Sequence, residues 1–285
     1  MATLGQINRL TVSRIGPYSA YLDGGNLGEV MLIKGKSKAV AKPTEGDELE
    51  VFVFIDTDDT LVASPDLPDI VAGQLANLEV VALTRDGAFL DWGMKSDLFV
   101  PRSEQMGDMA VGKRCVTFAM LDTGNQRMIG STKLFKHLRE ENTGDFQSDQ
   151  QVELMICQQT DLGYKAVING SHLGMLYNGE IFQQLHVGMK LKGFVKELRP
   201  DNKIDLILQK PSVEARSELE DKILAFLKKN DGVSTITDKS PPEEIYNTYA
   251  VSKKAYKHAI GGLYRNRLIT LSKEQITLIE NKKAY

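Results

Sequence analysis

The chain has 285 residues, 42% hydrophobic and 26% charged, with a formal net charge of -3. That length calls for more than one domain, and the composition excludes a collagen-like, low-complexity or wholly disordered chain. No apolar run reaches the length of a membrane span, and the opening MATLGQINRL lacks the apolar stretch of a secretory signal. Two well-separated cysteines, Cys115 and Cys157, point to neither a disulfide framework nor a zinc site. The expectation is a cytoplasmic, multidomain protein with no membrane partner.

Reading from the N-terminus, a strand-like segment followed by a glycine turn recurs at Gly16, Gly87 and Gly163, with spacings of 71 and 76 residues. A second marker follows each, a glycine opening a long alternating strand, at Gly46, Gly112 and Gly188. Polar turns close these strands at Asp56–Asp59, Asp122–Asn125 and Pro200–Lys203, and a short final strand comes after each. The clearest unit is the second, with five strands near 74–83, 87–92, 97–101, 112–121 and 126–131. Alternation there turns Leu90 and Trp92 inward and Phe89 outward. A helical turn is expected near Arg102–Met106 and again near Gly179–Leu185. Five short strands per unit suit a closed Greek-key barrel of the OB-fold kind, which leaves no exposed sheet edge.

The first unit is residues 1–66; residues 1–70 carry 6 basic and 11 acidic side chains, yet Lys34, Lys36, Lys38 and Lys42 make a basic loop after the unit's third strand. The second and third units, 70–142 and 147–212, are close to neutral. Residues 211–217 (PSVEARS) read as a linker to a domain at 217–285, which carries 12 basic and 9 acidic residues. A helix is predicted at 218–230, a second at 240–249 with prolines and glutamates in its first turn, and a third capped by Ser252. Strands at 268–271 and 275–279 complete a winged helix. Its segment 251–273 has no acidic residue and six basic ones, including Lys253, Lys254, Lys257, Arg265 and Arg267. Such clustering is the electrostatic footprint of nucleic-acid binding, and equally of a solvated helix face. The Gly261–Gly262 pair weakens that helix and suits close packing against another element.

The second unit, GAFLDWG with DLFVP and VGK, resembles the S1 domain of the OB-fold class. The third matches through LGYKAVI, LGMLYNGEIF and VGMKLKGFV, and the first, more loosely, through GPYSAYL, LGEVML and EGDELEV. The fold class expected is therefore mainly β with a small α+β C-terminal domain: three tandem S1-like OB barrels followed by a winged helix. The resemblance implies that exposed aromatics on strands two and three stack on single-stranded bases. Carried across, the strand-two aromatic falls on Tyr18, Phe89 and Tyr164. The strand-three position falls on Met31, Val100 and Tyr177, so the third unit alone keeps a stacking pair. Lys165, His172 and Lys203 join it as RNA contacts, and Arg127 joins Phe89 in the second unit. The whole arrangement, with SKKAYKHAIGGLYRNRLI at 252–269 as the most specific segment, resembles the bacterial conserved virulence factor B family. That resemblance implies an RNA-binding protein that regulates expression after transcription, including virulence-linked genes.

Catalysis is not expected. The four histidines, His137, His172, His186 and His258, are scattered with no metal-ligand spacing, and neither a GxSxG elbow nor a P-loop occurs. No cofactor or metal is predicted. Single-stranded RNA is the leading partner; DNA through the winged helix, and a ribosomal or other protein partner, stay open.

Overall fold

The computed structural model describes residues 1–35, 43–181, 183–209 and 213–279, the side chains of 213–216 excepted. Of the basic loop read in the first unit, Lys36, Lys38 and Lys42 lie outside the described residues. The chain divides into two units, Met1–Arg139 and Glu140–Tyr285.

The first unit holds two barrels. Strands β1 (Gln6–Ile15), β2 (Ala20–Asp23), β3 (Glu29–Leu32), β4 (Glu48–Ile55) and β5 (Leu61–Ser64) close in the order β1-β2-β3-β5-β4. Strands β6 (Leu75–Leu83), β7 (Gly87–Asp91), β8 (Leu98–Pro101), β9 (Arg114–Leu121) and β10 (Met128–Ser131) repeat that cycle. In the second unit β11 (Gln151–Thr160), β12 (Gly163–Ile168), β13 (His172–Tyr177), β14 (Lys190–Leu198) and β15 (Ile204–Ile207) repeat it again. In each barrel the third and fifth strands pair in parallel and the other pairings are antiparallel. The three-barrel, mainly β architecture and the predicted strands are borne out. Short 3-10 turns at Arg102–Glu104 and Asn178–Glu180 sit where helical turns were expected.

Local chemistry explains the repeat. The first strand of each barrel is bulged, between Val12 and Arg14, Val80 and Ala82, and Ile156 and Gln158. The glycine that opens strand four donates its N–H to the carbonyl preceding each bulge: Gly46 to Val12 at 3.0 Å, Gly112 to Val80 at 2.8 Å and Gly188 to Ile156 at 2.7 Å. All three glycines have φ between 80° and 91°, a region that other residues enter with strain. The polar turns between strands four and five likewise end on one left-handed residue each, Asp59, Gln126 and Asn202.

The cores follow from alternation. Val51 and Val53 of β4 face into the first barrel with Leu22 and Val30. Phe52 between them faces out, is fully buried, and joins the core cluster of the second barrel. It meets Trp92 edge-on at 5.6 Å and stacks on Phe54 at 5.3 Å. Trp92 is 4% exposed, and its indole N–H donates to the Ser96 carbonyl at 2.6 Å. Gly5 packs against the same seam, where an added Cβ would stand 3.0 Å from Ala72, Leu121 and Met128 side-chain atoms. The two barrels of this unit are thus joined by a shared apolar seam.

Residues 211–217 are not a linker throughout, because helix α1 runs Val213–Lys229. The Glu, Ala and Arg of VEARS are helix formers, and Ser217 does not break the run. Helices α2 (Pro242–Tyr249) and α3 (Lys253–Arg265) follow, with Ser252 capping α3 through its hydroxyl, which accepts from the Ala255 N–H at 2.8 Å. A three-stranded sheet of β16 (Val233–Ser234), β17 (Ile269–Leu271) and β18 (Ile276–Leu278) completes the winged helix, β16 being a strand that the sequence pattern did not announce. Its core gathers Leu219, Ile223 and Leu227 of α1 against Tyr249, Tyr256 and Ile260.

Candidate nucleic-acid interface

Cross-strand register identifies equivalent positions in the three barrels. Ile15 pairs with Ala20, Leu83 with Ala88 and Gln159 with Tyr164, so Ser19, Gly87 and Gly163 are equivalent. Gly16 is not, and the first unit slips by three residues against the sequence reading. Tyr18 consequently belongs to the β1–β2 turn, where it is 94% exposed, and Tyr21 takes the strand-two position. In the third barrel the slip is one residue. Tyr164 pairs with the fully buried Leu176 and packs against the core, in the row of Ala166 and Ile168. Tyr177 pairs with Gly163 and stands on the opposite face of the ladder. Tyr164 and Tyr177 therefore do not form one platform.

The outward row across strands two and three reads Tyr21–Met31 in the first barrel, Phe89–Phe99 in the second and Lys165–Met175 in the third. Only the second holds two rings. Phe89 and Phe99 are both half-buried, with centroids 5.1 Å apart and planes inclined by 43°. The expectation of Val100 as the strand-three position is corrected to Phe99, since Val100 is fully buried in the core. Beside the pair stand Ala82 on β6 and Ile129 on β10. At the Gly87–Pro101 end of the ladder, the Arg102 Nε donates to the Arg85 carbonyl at 2.6 Å, which brings two cationic residues together.

Other expected contacts are differently engaged. Arg127 does not face outward beside Phe89; its Nη2 lies 2.7 Å from Asp59 Oδ1 and donates to the Thr57 carbonyl at 2.8 Å, both in the first barrel's turn. His172 is 2% exposed, edge-on to Phe146 at 4.9 Å, with Nδ1 2.9 Å from Ser171 Oγ and Nε2 3.3 Å from Asp145. It is a buried ring, because the strand alternation at Ile168 and His172 turns it toward the core. Lys165 reaches Glu140 at 3.5 Å, and Lys203 is exposed in the β14–β15 turn. Tyr177 accepts from Arg199 through its hydroxyl at 3.5 Å, an arginine that motif reading passed over.

In the first barrel, Arg14 of β1 lies over the Tyr21 ring at 3.6 Å and holds Glu29 of β3 through Nε at 3.0 Å and Nη2 at 2.8 Å. Hydrogen bonding from Arg14 keeps the Glu29 carboxyl below its ordinary value. On α3, Lys254, Lys257, His258, Tyr264 and Arg265 are exposed at helical spacing, and Arg267 is exposed in the turn beyond. Lys253 is instead drawn to the protein, donating to the Ser240 carbonyl at 2.9 Å. Of the glycine pair, Gly262 is buried, whereas a Cβ at Gly261 would meet nothing. Burial pushes the Cys157 thiol up to about 12 and raises that of Cys115, so neither is an activated nucleophile. Among the described residues no cluster of His, Cys, Asp and Glu is placed to hold a metal, and no helix is long and apolar enough to cross a membrane.

Residues 4–65 match the S1 domain family, and residues 221–278 match the CvfB-like winged helix domain. Together with the barrel repeat these define the class: a protein of tandem OB-type barrels, the first matching the S1 domain family, with a terminal winged helix. Within it the chain is similar to the bacterial conserved virulence factor B proteins, in line with the sequence resemblance. It is 23% identical over 288 residues to conserved virulence factor B of Staphylococcus saprophyticus, covering 97% of this chain and 95% of that protein. It is 26% identical over 250 residues to the uncharacterized protein YitL of Bacillus subtilis, covering 84% and 82%. A solved multidomain protein with nucleic acid binding domains from Streptococcus pneumoniae is 21% identical, covers 97% of this chain and 98% of that one, and has a TM-score of 0.41.

Proposed function

We propose that this chain is a noncatalytic, cytoplasmic protein that binds single-stranded RNA and regulates expression after transcription. The observation that carries the reading is the outward Phe89–Phe99 pair, two half-buried rings 5.1 Å apart on a barrel of S1-type topology. A ring face accepts any base, and each stack contributes about 1–3 kcal/mol. Arg85 and Arg102, at the end of the same ladder, supply phosphate contacts. Tyr177, Lys165 and Lys203 offer a single ring and two cations on the third barrel, and the exposed basic face of α3 offers a separate set of cations for phosphates. Lys254, Lys257 and Arg265, exposed on α3, also suit duplex DNA, which keeps DNA as the second reading.

The test is fluorescence anisotropy of the full chain with labelled single-stranded RNA, single-stranded DNA and duplex DNA at two salt concentrations. Single-stranded RNA is expected to bind best, more weakly as salt rises. Phe89→Leu with Phe99→Leu keeps apolar bulk and removes both π faces, so affinity is expected to fall at least about tenfold with the fold intact. Equal affinity in that variant removes the second barrel as the stacking site. Tightest binding to duplex DNA shifts the reading to the winged helix.

A further inference from the structure

The first barrel presents no open ring at the position where the second presents Phe89. Its tyrosine, Tyr21, is roofed by the Arg14 guanidinium, whose carbon lies 3.6 Å from the ring centroid. The guanidinium is fixed in its own plane by the Glu29 carboxylate, through Nε at 3.0 and 3.1 Å and Nη2 at 2.8 Å. Beneath, Tyr21 is wedged against the chain: a Cβ on Gly16 would stand 2.9 Å from its ring edge. Three neighbouring strands, β1, β2 and β3, thus each contribute one side chain to a layered stack on the outer face. The Arg14 side chain remains 47% exposed, as expected of a plane with one side on a ring and the other in solvent. The far side of this face is closed, because Val62 is fully buried and Phe54 packs against the second barrel's core.

We infer that the Tyr21–Arg14–Glu29 stack is a base-stacking platform, on which an unpaired nucleobase of a single-stranded nucleic acid lies against the open face of the Arg14 guanidinium. Guanidinium planes stack on unpaired bases as aromatic rings do. Glu29 engages the Nε and Nη2 edge and balances the charge, so the platform acts through its face and contributes little to phosphate attraction. This inference rests on the single-stranded reading above and adds a second stacking point within the same unit.

Arg14→Lys separates the plane from the charge. Lysine keeps a cation beside Glu29 but has no flat face. The probe is a labelled single-stranded RNA carrying 2-aminopurine at successive positions, with the full chain titrated at several salt concentrations. The expected result is an affinity about fivefold lower or more, which is the loss of one stack. The slope of affinity against salt stays unchanged, and one 2-aminopurine position whose emission changes on binding the unaltered protein no longer changes. Unchanged affinity in Arg14→Lys overturns the platform, as does a reduced salt slope, which would make Arg14 a phosphate contact. Two outcomes separate this inference from the reading on which it rests. Weakening by Arg14→Lys but not by Phe89→Leu with Phe99→Leu leaves the platform standing and removes the second-barrel site; no binding by the unaltered protein overturns both.

Discussion

Arg127 and Asp59 form a 2.7 Å ion pair between the second and first barrels, and the same guanidinium donates to the Thr57 carbonyl at 2.8 Å. Both residues belong to β4–β5-type turns, Asp59 and Gln126 being the left-handed members. The acidic turn Asp56–Asp59 therefore meets a cation from the neighbouring barrel, alongside the apolar seam of Phe52 and Trp92.

This arrangement makes Arg127 a stability residue of the first unit. Asp59 is 73% exposed, so the pair itself is expected to couple by only about 0.5 kcal/mol in a double-mutant cycle of Arg127→Ala and Asp59→Ala. Arg127→Ala alone is expected to cost about 1–2 kcal/mol in urea unfolding, because it also removes a charged donor from a carbonyl. The slope of RNA affinity against salt is expected to stay as in the unaltered protein. A shallower slope in Arg127→Ala would return this residue to the phosphate contacts.

Two other residues read as contacts are expected to affect stability more than affinity. His172→Ala deletes a buried ring packed edge-on to Phe146, and Tyr164→Ala strips a side chain from the edge of the third core. Each is expected to destabilise by about 1–3 kcal/mol, with the folded fraction binding RNA as before. Thermal unfolding followed beside anisotropy checks the split, and an affinity loss without a change in midpoint would reverse it.

The legible and illegible parts of the molecule divide along one physical line. Strand existence, the glycines at Gly46, Gly112 and Gly188, and the polar turns could be read because each is set by local backbone chemistry. Register could not, because it is decided by cross-strand pairing, and one residue of slip exchanges the two faces of a strand. Such a slip in the sequence pattern turns Tyr164 outward and puts Val100 in the place of Phe99. In the first barrel Gly16 imitates the turn glycine while Ser19 occupies its position, which hid Tyr21 and the arginine above it. The partnership of Arg127 with Asp59 depends on how two barrels meet, for which no local signal exists.

The His137 ring gives the second barrel an acid-sensitive step. It lies parallel to Phe118 at 4.7 Å, and burial holds its pKa below the ordinary 6.5 against the opposing pull of Glu104. Since the unfolded chain takes up this proton first, the contribution to stability is full above about pH 6.5 and is lost as pH falls toward the folded value. Burial raises the Glu104 pKa, but bonds from Lys136 and Ser131 outweigh it and leave the group below 4.5. Its contribution is likewise full above the ordinary value and lost on further acidification. The urea midpoint is expected to fall between about pH 7 and about pH 5.5, and His137→Phe, which keeps the stacked ring without the titration, to flatten that fall. A midpoint equally steep in His137→Phe would assign the step elsewhere.

On α3 the structure separates cations that a charge count treats alike. Lys253 donates to the Ser240 carbonyl and is half-buried, whereas Lys254 and Lys257 are exposed on the same helix. Lys253→Ala is expected to lower the stability of the winged helix by about 1 kcal/mol, the typical worth of such a bond. Lys254→Ala with Lys257→Ala is expected to leave the unfolding curve unchanged. If both hold phosphates of a single strand, each replacement removes about 0.7 from the slope of log affinity against log salt, so the pair should flatten it by about 1.4. Titrations at four salt concentrations resolve a change of that size. An unchanged slope would take the basic face of α3 out of the nucleic-acid surface and leave the phosphates to the barrels.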